Sequence, residues 1–158
     1  MSDPLSLVAA GAGFVGLAGQ LAQGVIKLKE ICSAIKDAPK DVAKLCESVE
    51  LLQSLLEEVG QQVQQLSHGN VDDRLMREVL AHCETSRFKI GVSVESICNS
   101  IRKSRLGAVR YVFKKKEIED MLSDVERCKS NIIIARQSVE RYVGILLSRR
   151  KRATDEAR

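Results

Sequence analysis

The chain has 158 residues, 44% hydrophobic and 29% charged, with a formal net charge of +4, 3% aromatic residues and no Trp. That length fits one domain with an ordinary core, and the apolar content excludes a disordered chain. Few aromatics favour Leu, Ile and Val packing in a helical bundle over a β-sandwich, and a surplus of this size does not by itself imply nucleic acid.

Between Asp3 and Lys27 no residue is charged, and Gly11, Gly13, Gly16, Gly19 and Gly24 stand among apolar neighbours. Each interior glycine costs a helix in water about 1 kcal/mol relative to Ala, so five cost roughly 5 kcal/mol. Such a stretch needs close backbone approach, conformational change or an apolar solvent. Residues 4–26 are enough to span a hydrocarbon core. Ala9/Gly13, Ala12/Gly16 and Ala18/Ala22 have the small-xxx-small spacing of helices that associate in lipid. Leu5, Leu7, Val8, Phe14, Val15, Leu17, Leu21, Val25 and Ile26 favour insertion by about 3–5 kcal/mol. Gln20, Gln23 and the glycines erode that gain. The span is marginal, and it should prefer a soluble bundle until something exposes or oligomerises it. It is no signal peptide, having the acidic Asp3 and no basic start.

Phe14, Leu17, Leu21, Val25, Leu28, Cys32 and Ile35 step by three and four, which predicts a helix over 5–36. Asp37-Ala38-Pro39 breaks it, because the residue before Pro avoids the α region. Val42, Leu45, Val49, Leu52, Leu56, Val59, Val63 and Leu66 continue the stepping over a predicted helix 40–67, closed by Ser67-His68-Gly69-Asn70. A third stripe, Met76, Leu80, Cys83, Arg87, Ile90, Val94, Ile97 and Ile101, predicts a helix over 72–104. Arg87 interrupts that stripe, so Phe88 is expected to rotate inward, and Gly91 with nearby serines invites a kink. Ile118, Met121, Val125, Cys128, Ile132, Ala135, Val139, Tyr142 and Leu146 predict a fourth helix over 114–149. Four long helices with short turns make an all-α, up-down four-helix bundle whose first helix is glycine-rich and apolar.

Enzyme chemistry finds little support, and no catalytic, cofactor or metal residue is assigned. Cys32, Cys46, Cys83, Cys98 and Cys128 form no CxxC pair, and only His68 and His82 could join them at a zinc site. The cysteines lie on or beside apolar stripes and read as small buried hydrophobes. His82 and Cys83 are adjacent and point to different helix faces, so they do not make a nucleophile–base pair. The glycines lack the Lys-Ser/Thr ending of a phosphate loop. An odd cysteine count without a secretion signal reads as reduced and cytosolic.

The cations are more suggestive. Arg102, Lys103, Arg105, Arg110, Lys114, Lys115 and Lys116 bracket an expected connector, 105–113, and Arg149, Arg150, Lys151 and Arg152 end the fourth helix. A solvated surface with favourable helix C-terminal charges is the plain reading. Attraction to anionic lipid, worth about 1 kcal/mol per cation, is the functional one. Nucleic acid would use the same cations, but no stacking platform or recognition motif accompanies them. The last run also matches a nuclear localisation signal weakly.

The opening Met1-SDPLSLVAAGAGFVGLAGQ, the Lys36-DAP-Pro39 break, the Leu51-LQSLLEEV stripe, Leu80-AHC-Cys83 and Lys115-KEIEDMLSDVERCKSNI-Ile132 resemble the HeLo-like N-terminal domain of filamentous fungi. That domain precedes NLR-type STAND receptors and prion-forming motifs. It is likened to the four-helix executioner domain of the mixed-lineage kinase-like pseudokinase. The resemblance implies a cell-death module over 1–149, with 1–26 membrane-active and 150–158 a basic tail or the start of a linker. It also implies activation by an upstream NLR-type receptor, through a region absent here, followed by homo-oligomerisation that frees the first helix. No amyloid motif or nucleotide-binding module is found by Arg158, which points to a fragment.

The expected function is therefore membrane disruption, cytoplasmic at rest and at the plasma membrane when active. Leu5, Leu7, Val8, Phe14, Val15, Gly16, Leu17, Gly19 and Leu21 are the expected inserting residues, and the two basic clusters the expected contacts to anionic phospholipid. A non-lytic oligomerising adaptor is the alternative.

Overall fold

The computed structural model describes residues 4–34, 40–66, 73–103 and 107–156. They form α1 (Pro4–Ala34), α2 (Lys40–Gln65), α3 (Asp73–Lys103) and α4 (Gly107–Glu156), with no strand among the described residues. Pro4 opens α1, where its missing N–H would have had no partner. Asp41 sits in the first turn of α2, where a carboxylate suits the helix dipole.

The expected all-α bundle with an apolar first helix is the observed fold. Val42, Leu45, Val49, Leu52, Leu56, Val59 and Val63 of α2 are each 1% exposed or less. They share one core with Phe14, Leu17, Leu21, Val25 and Leu28 of α1, Met76, Ile90 and Val94 of α3, and Ile118, Val125, Ile132 and Val139 of α4. Each such aliphatic or aromatic side chain contributes about 1.5–3 kcal/mol on burial.

Two local expectations are corrected. Residues 107–113, expected as part of a connector, are helical, and the helix continues past 149 to Glu156. Arg150, Lys151, Arg152 and Ala153 favour the helix in the second stretch, and neither stretch contains Pro. Phe88 does not turn inward; it is 65% exposed, and Ser86 occupies the core position instead. Ser86 continues the row from Cys83 to Ile90 by steps of three and four, whereas residue 88 falls on the outer face. α3 is helical through Gly91.

Chain direction alternates up and down. Gly11 lies against Gly60 and Lys29 pairs with Glu50, so α1 and α2 are antiparallel. Cys83 meets Cys128 and His82 meets Asn131, so α3 and α4 are antiparallel too. Gly13 packs near Leu80, and Gly24 shares a groove with Gly91, which makes α1 and α3 parallel. Glu58 pairs with Arg136 and Gln65 lies near Val143, which makes α2 and α4 parallel. Around the bundle the order is α1, α2, α4, α3. Among the described residues the backbone of α1 does not come close to that of α4, nor that of α2 to that of α3, so these pairs are diagonal.

Candidate functional site

α1 divides into two faces. Phe14, Leu17, Ala18, Leu21, Val25 and Leu28 are buried, while Ala9, Ala12, Gly16, Gly19, Gln20, Gln23 and Ile26 are exposed. The exposed row therefore carries no charge from Val8 to Ile26. One helix segment, Val8–Glu30, is long and apolar enough by composition to cross a membrane. Of the expected inserting residues, Phe14, Leu17 and Leu21 belong to the core, Val15 is half-buried, and Val8, Gly16 and Gly19 face solvent. The side chains of Leu5 and Leu7 lie outside the described residues.

The glycines have different reasons. A Cβ on Gly11 would stand 2.9 Å from the carbonyl oxygen of Gly60, and one on Gly60 would stand 2.9 Å from that of Gly11. Gly60 would also place a Cβ 2.8 Å from Val15 Cγ2. Here α1 and α2 touch backbone to backbone, so only glycine fits. Gly13 faces Leu80 Cδ2, which would be 2.7 Å from an added Cβ. Gly16, Gly19 and Gly24 have nothing within 4 Å. No packing requirement explains them, although each still weakens the helix in water.

α1 is gripped unevenly. Against α2 it has the glycine contact and the Lys29–Glu50 ion pair. Against α3 a groove of about 270 Å³ stays open, lined by Gln20, Gly24, Lys27, Arg87, Phe88 and Gly91 among others. Arg87 is half-buried there, and its Nε has no hydrogen-bond partner.

The end of α4 outruns the bundle. Val139 is buried, Tyr142 and Val143 are half-buried, and Ile145, Leu146 and Leu147 are 52%, 39% and 62% exposed. Leu146 was expected to extend the core stripe. It lies instead beyond α2, whose last turn ends beside Val143. Arg149, Arg150, Lys151 and Arg152 follow on this overhang, all exposed. The overhang and the start of α1 lie at the same end of the bundle, because Gly11 packs beside the last turns of α2.

Lys115 and Lys116 are exposed near the start of α4, at the opposite end. From Lys116 to Arg149 the helix runs roughly 50 Å at about 1.5 Å per residue. The two basic clusters are therefore not one surface. The side chains of Arg102, Lys103, Arg110 and Lys114 lie outside the described residues, as does Arg105.

The α3–α4 seam carries the polar groups of the interior. Cys83 Sγ and Cys128 Sγ share a hydrogen bond at 3.1 Å, and Ser86, also buried, supports Cys128 through its hydroxyl. The contact and burial push the Cys83 thiol up. The same contact holds Cys128 below the ordinary thiol value, with Ser86 helping. Beside them Asn131 Nδ2 is 3.2 Å from His82 Nδ1. Among the described residues no three of His, Cys, Asp or Glu gather as metal ligands. Sequence spacing placed both cysteines on apolar stripes but gave no sign that they face each other.

Comparison with family models, curated proteins and solved structures finds no match. What the fold and these features define is a class only: an all-α four-helix bundle with one apolar, glycine-rich helix.

Proposed function

We propose that this bundle is a membrane-disrupting domain in which α1 leaves its place and enters an anionic bilayer. The observation that carries the reading is the exposed row of α1, uncharged from Val8 to Ile26 and holding glycines that no neighbour requires. In lipid, small residues on one face let helices approach closely. In water the same residues only weaken the helix.

Release is not spontaneous. Exposing Phe14, Leu17, Leu21, Val25 and Leu28 costs roughly 8–15 kcal/mol in water. A bilayer or an oligomer must offset that cost, as an apolar medium does for these side chains. The basic overhang of α4 fits the approach step, since its exposed Ile145 and Leu147 accompany four cations at the end where α1 begins. The distant Lys115–Lys116 end does not reach the same flat surface while the bundle stands on that end.

The test is dye leakage from anionic vesicles using Gly16→Lys. Position 16 is exposed with open space around it, so the variant keeps the fold. The added cation strengthens surface attraction yet opposes insertion by about 2.5–3.5 kcal/mol. Leakage is expected to fall at least tenfold while vesicle binding persists. A folded Gly16→Lys protein that leaks like the wild type overturns the reading. Self-association without leakage from the wild type favours the adaptor alternative instead.

A further inference from the structure

Cys83 and Cys128 meet across two antiparallel helices, 2% and 1% exposed, with sulfurs 3.1 Å apart. Both are free thiols. A disulfide needs sulfurs about 2.05 Å apart, so an approach of about 1 Å closes the bond. Two rigid helices hold the pair in register, and Ser86 one turn along α3 reaches the same sulfur. Packing alone would be served by any small apolar pair here. A thiol–thiol hydrogen bond in the core adds a chemistry that alanine or valine lacks.

We propose that Cys83 and Cys128 are a redox-modification site, at which a small peroxide joins α3 to α4 by an intramolecular disulfide. Cys128 is the sulfur that reacts first, because Cys83 and Ser86 both stabilise its thiolate. With hydrogen peroxide, Cys128 Sγ attacks one oxygen and the O–O bond breaks. The departing hydroxide takes the thiol proton and leaves as water, and Cys128 becomes a sulfenic acid. Cys83 Sγ then attacks Cys128 Sγ, the S–O bond breaks and the S–S bond forms. The second hydroxide leaves as water with the Cys83 proton. The two thiols lose two electrons and two hydrogens, and one peroxide becomes two waters.

The bond would fasten α4 to α3 without joining either to α1, whose backbone among the described residues does not come close to that of α4. It thus strengthens the part of the bundle that α1 leaves behind. That consequence rests on the membrane-disrupting reading; the disulfide itself does not.

The test treats the folded full chain with hydrogen peroxide, blocks remaining thiols by alkylation, and maps peptides by mass spectrometry. A Cys83–Cys128 linked peptide, lighter by two hydrogens, is expected. It should vanish in Cys83→Ser, or in Cys83→Ala if the hydroxyl prevents folding. The oxidised protein should unfold at a higher temperature, and reductant should reverse the rise. Both cysteines remaining alkylatable, or pairing instead with Cys32, Cys46 or Cys98, overturns the proposal. Oxidised protein should still release dye. A linked protein that no longer leaks overturns the consequence for α1. Reduced protein that never leaks defeats the membrane reading alone and leaves the disulfide standing.

Discussion

Where α1 crosses α2, Gly11 and Gly60 bring two backbones into contact, whereas α3 meets α4 through side chains, Cys83 against Cys128 and His82 against Asn131. Both seams are antiparallel and both close on the same core. The first depends on atoms being absent at one crossing, and it is the most extensive contact between two helices among the described residues. The second depends on paired polar atoms, which lose their partners if the register slips. The difference teaches that neighbouring helices in one bundle can be equally buried and yet joined by different means. Changes on α1 should accordingly sort by face.

The largest effect tests whether α1 is truly part of the folded core. Phe14 is fully buried, so Phe14→Ala should lower stability by about 3–5 kcal/mol. Urea unfolding at neutral pH measures it. A loss below about 1 kcal/mol would mean that α1 only rests on the other helices, and the comparison of seams would collapse.

Glycine to alanine gives a smaller, sharper contrast, because the sign should change with position. At Gly60 the new methyl meets backbone, Gly11 O at 2.9 Å and Val15 N at 3.0 Å, neither of which can rotate aside. Overpacking of this kind costs about 1–3 kcal/mol, more than the helix-propensity gain of about 1 kcal/mol. At Gly16 nothing lies within 4 Å, so only the gain remains, about 0.5–1 kcal/mol. Thermal midpoints should fall for Gly60→Ala and rise for Gly16→Ala. Two shifts of the same sign would show that the α1–α2 contact is not as tight as its geometry.

The stripes were legible in the sequence because 3.6-residue periodicity reports which side of a helix is buried. Val42 to Val63 and Ile118 to Val139 needed nothing more. Periodicity does not report which helix lies opposite. Hence the diagonal placement of α2 and α3 and the meeting of Cys83 with Cys128 were invisible. Gly60 was passed over for the same reason, since a lone glycine signals nothing until Gly11 is set against it. Leu146 shows the converse limit: its spacing is right, but its partner helices have already ended. The reach between the two basic clusters, in contrast, was already contained in the length of one helix.

The smallest effect concerns the one ion pair described between α1 and α2. Lys29 is largely in water and Glu50 is half-buried, so the pair is a minor contributor, and salt should weaken it further. Its pH dependence nevertheless has a definite sign. The hydrogen bond to Glu50, with its charge, raises the Lys29 pKa above the ordinary 10.5. A raised lysine stabilises the fold fully below its unfolded pKa and loses that contribution as pH climbs through the folded value. The stability difference between wild type and Lys29→Met should therefore stay constant from pH 7 to about pH 9 and shrink above about pH 10.5. The Cys46 thiol interacts with Lys29, so the comparison is made with Cys46→Ala in both proteins. A gap that does not change with pH would mean that Lys29 is held by its aliphatic stem on α2 and not by Glu50, and the glycine seam would then have a second apolar clasp.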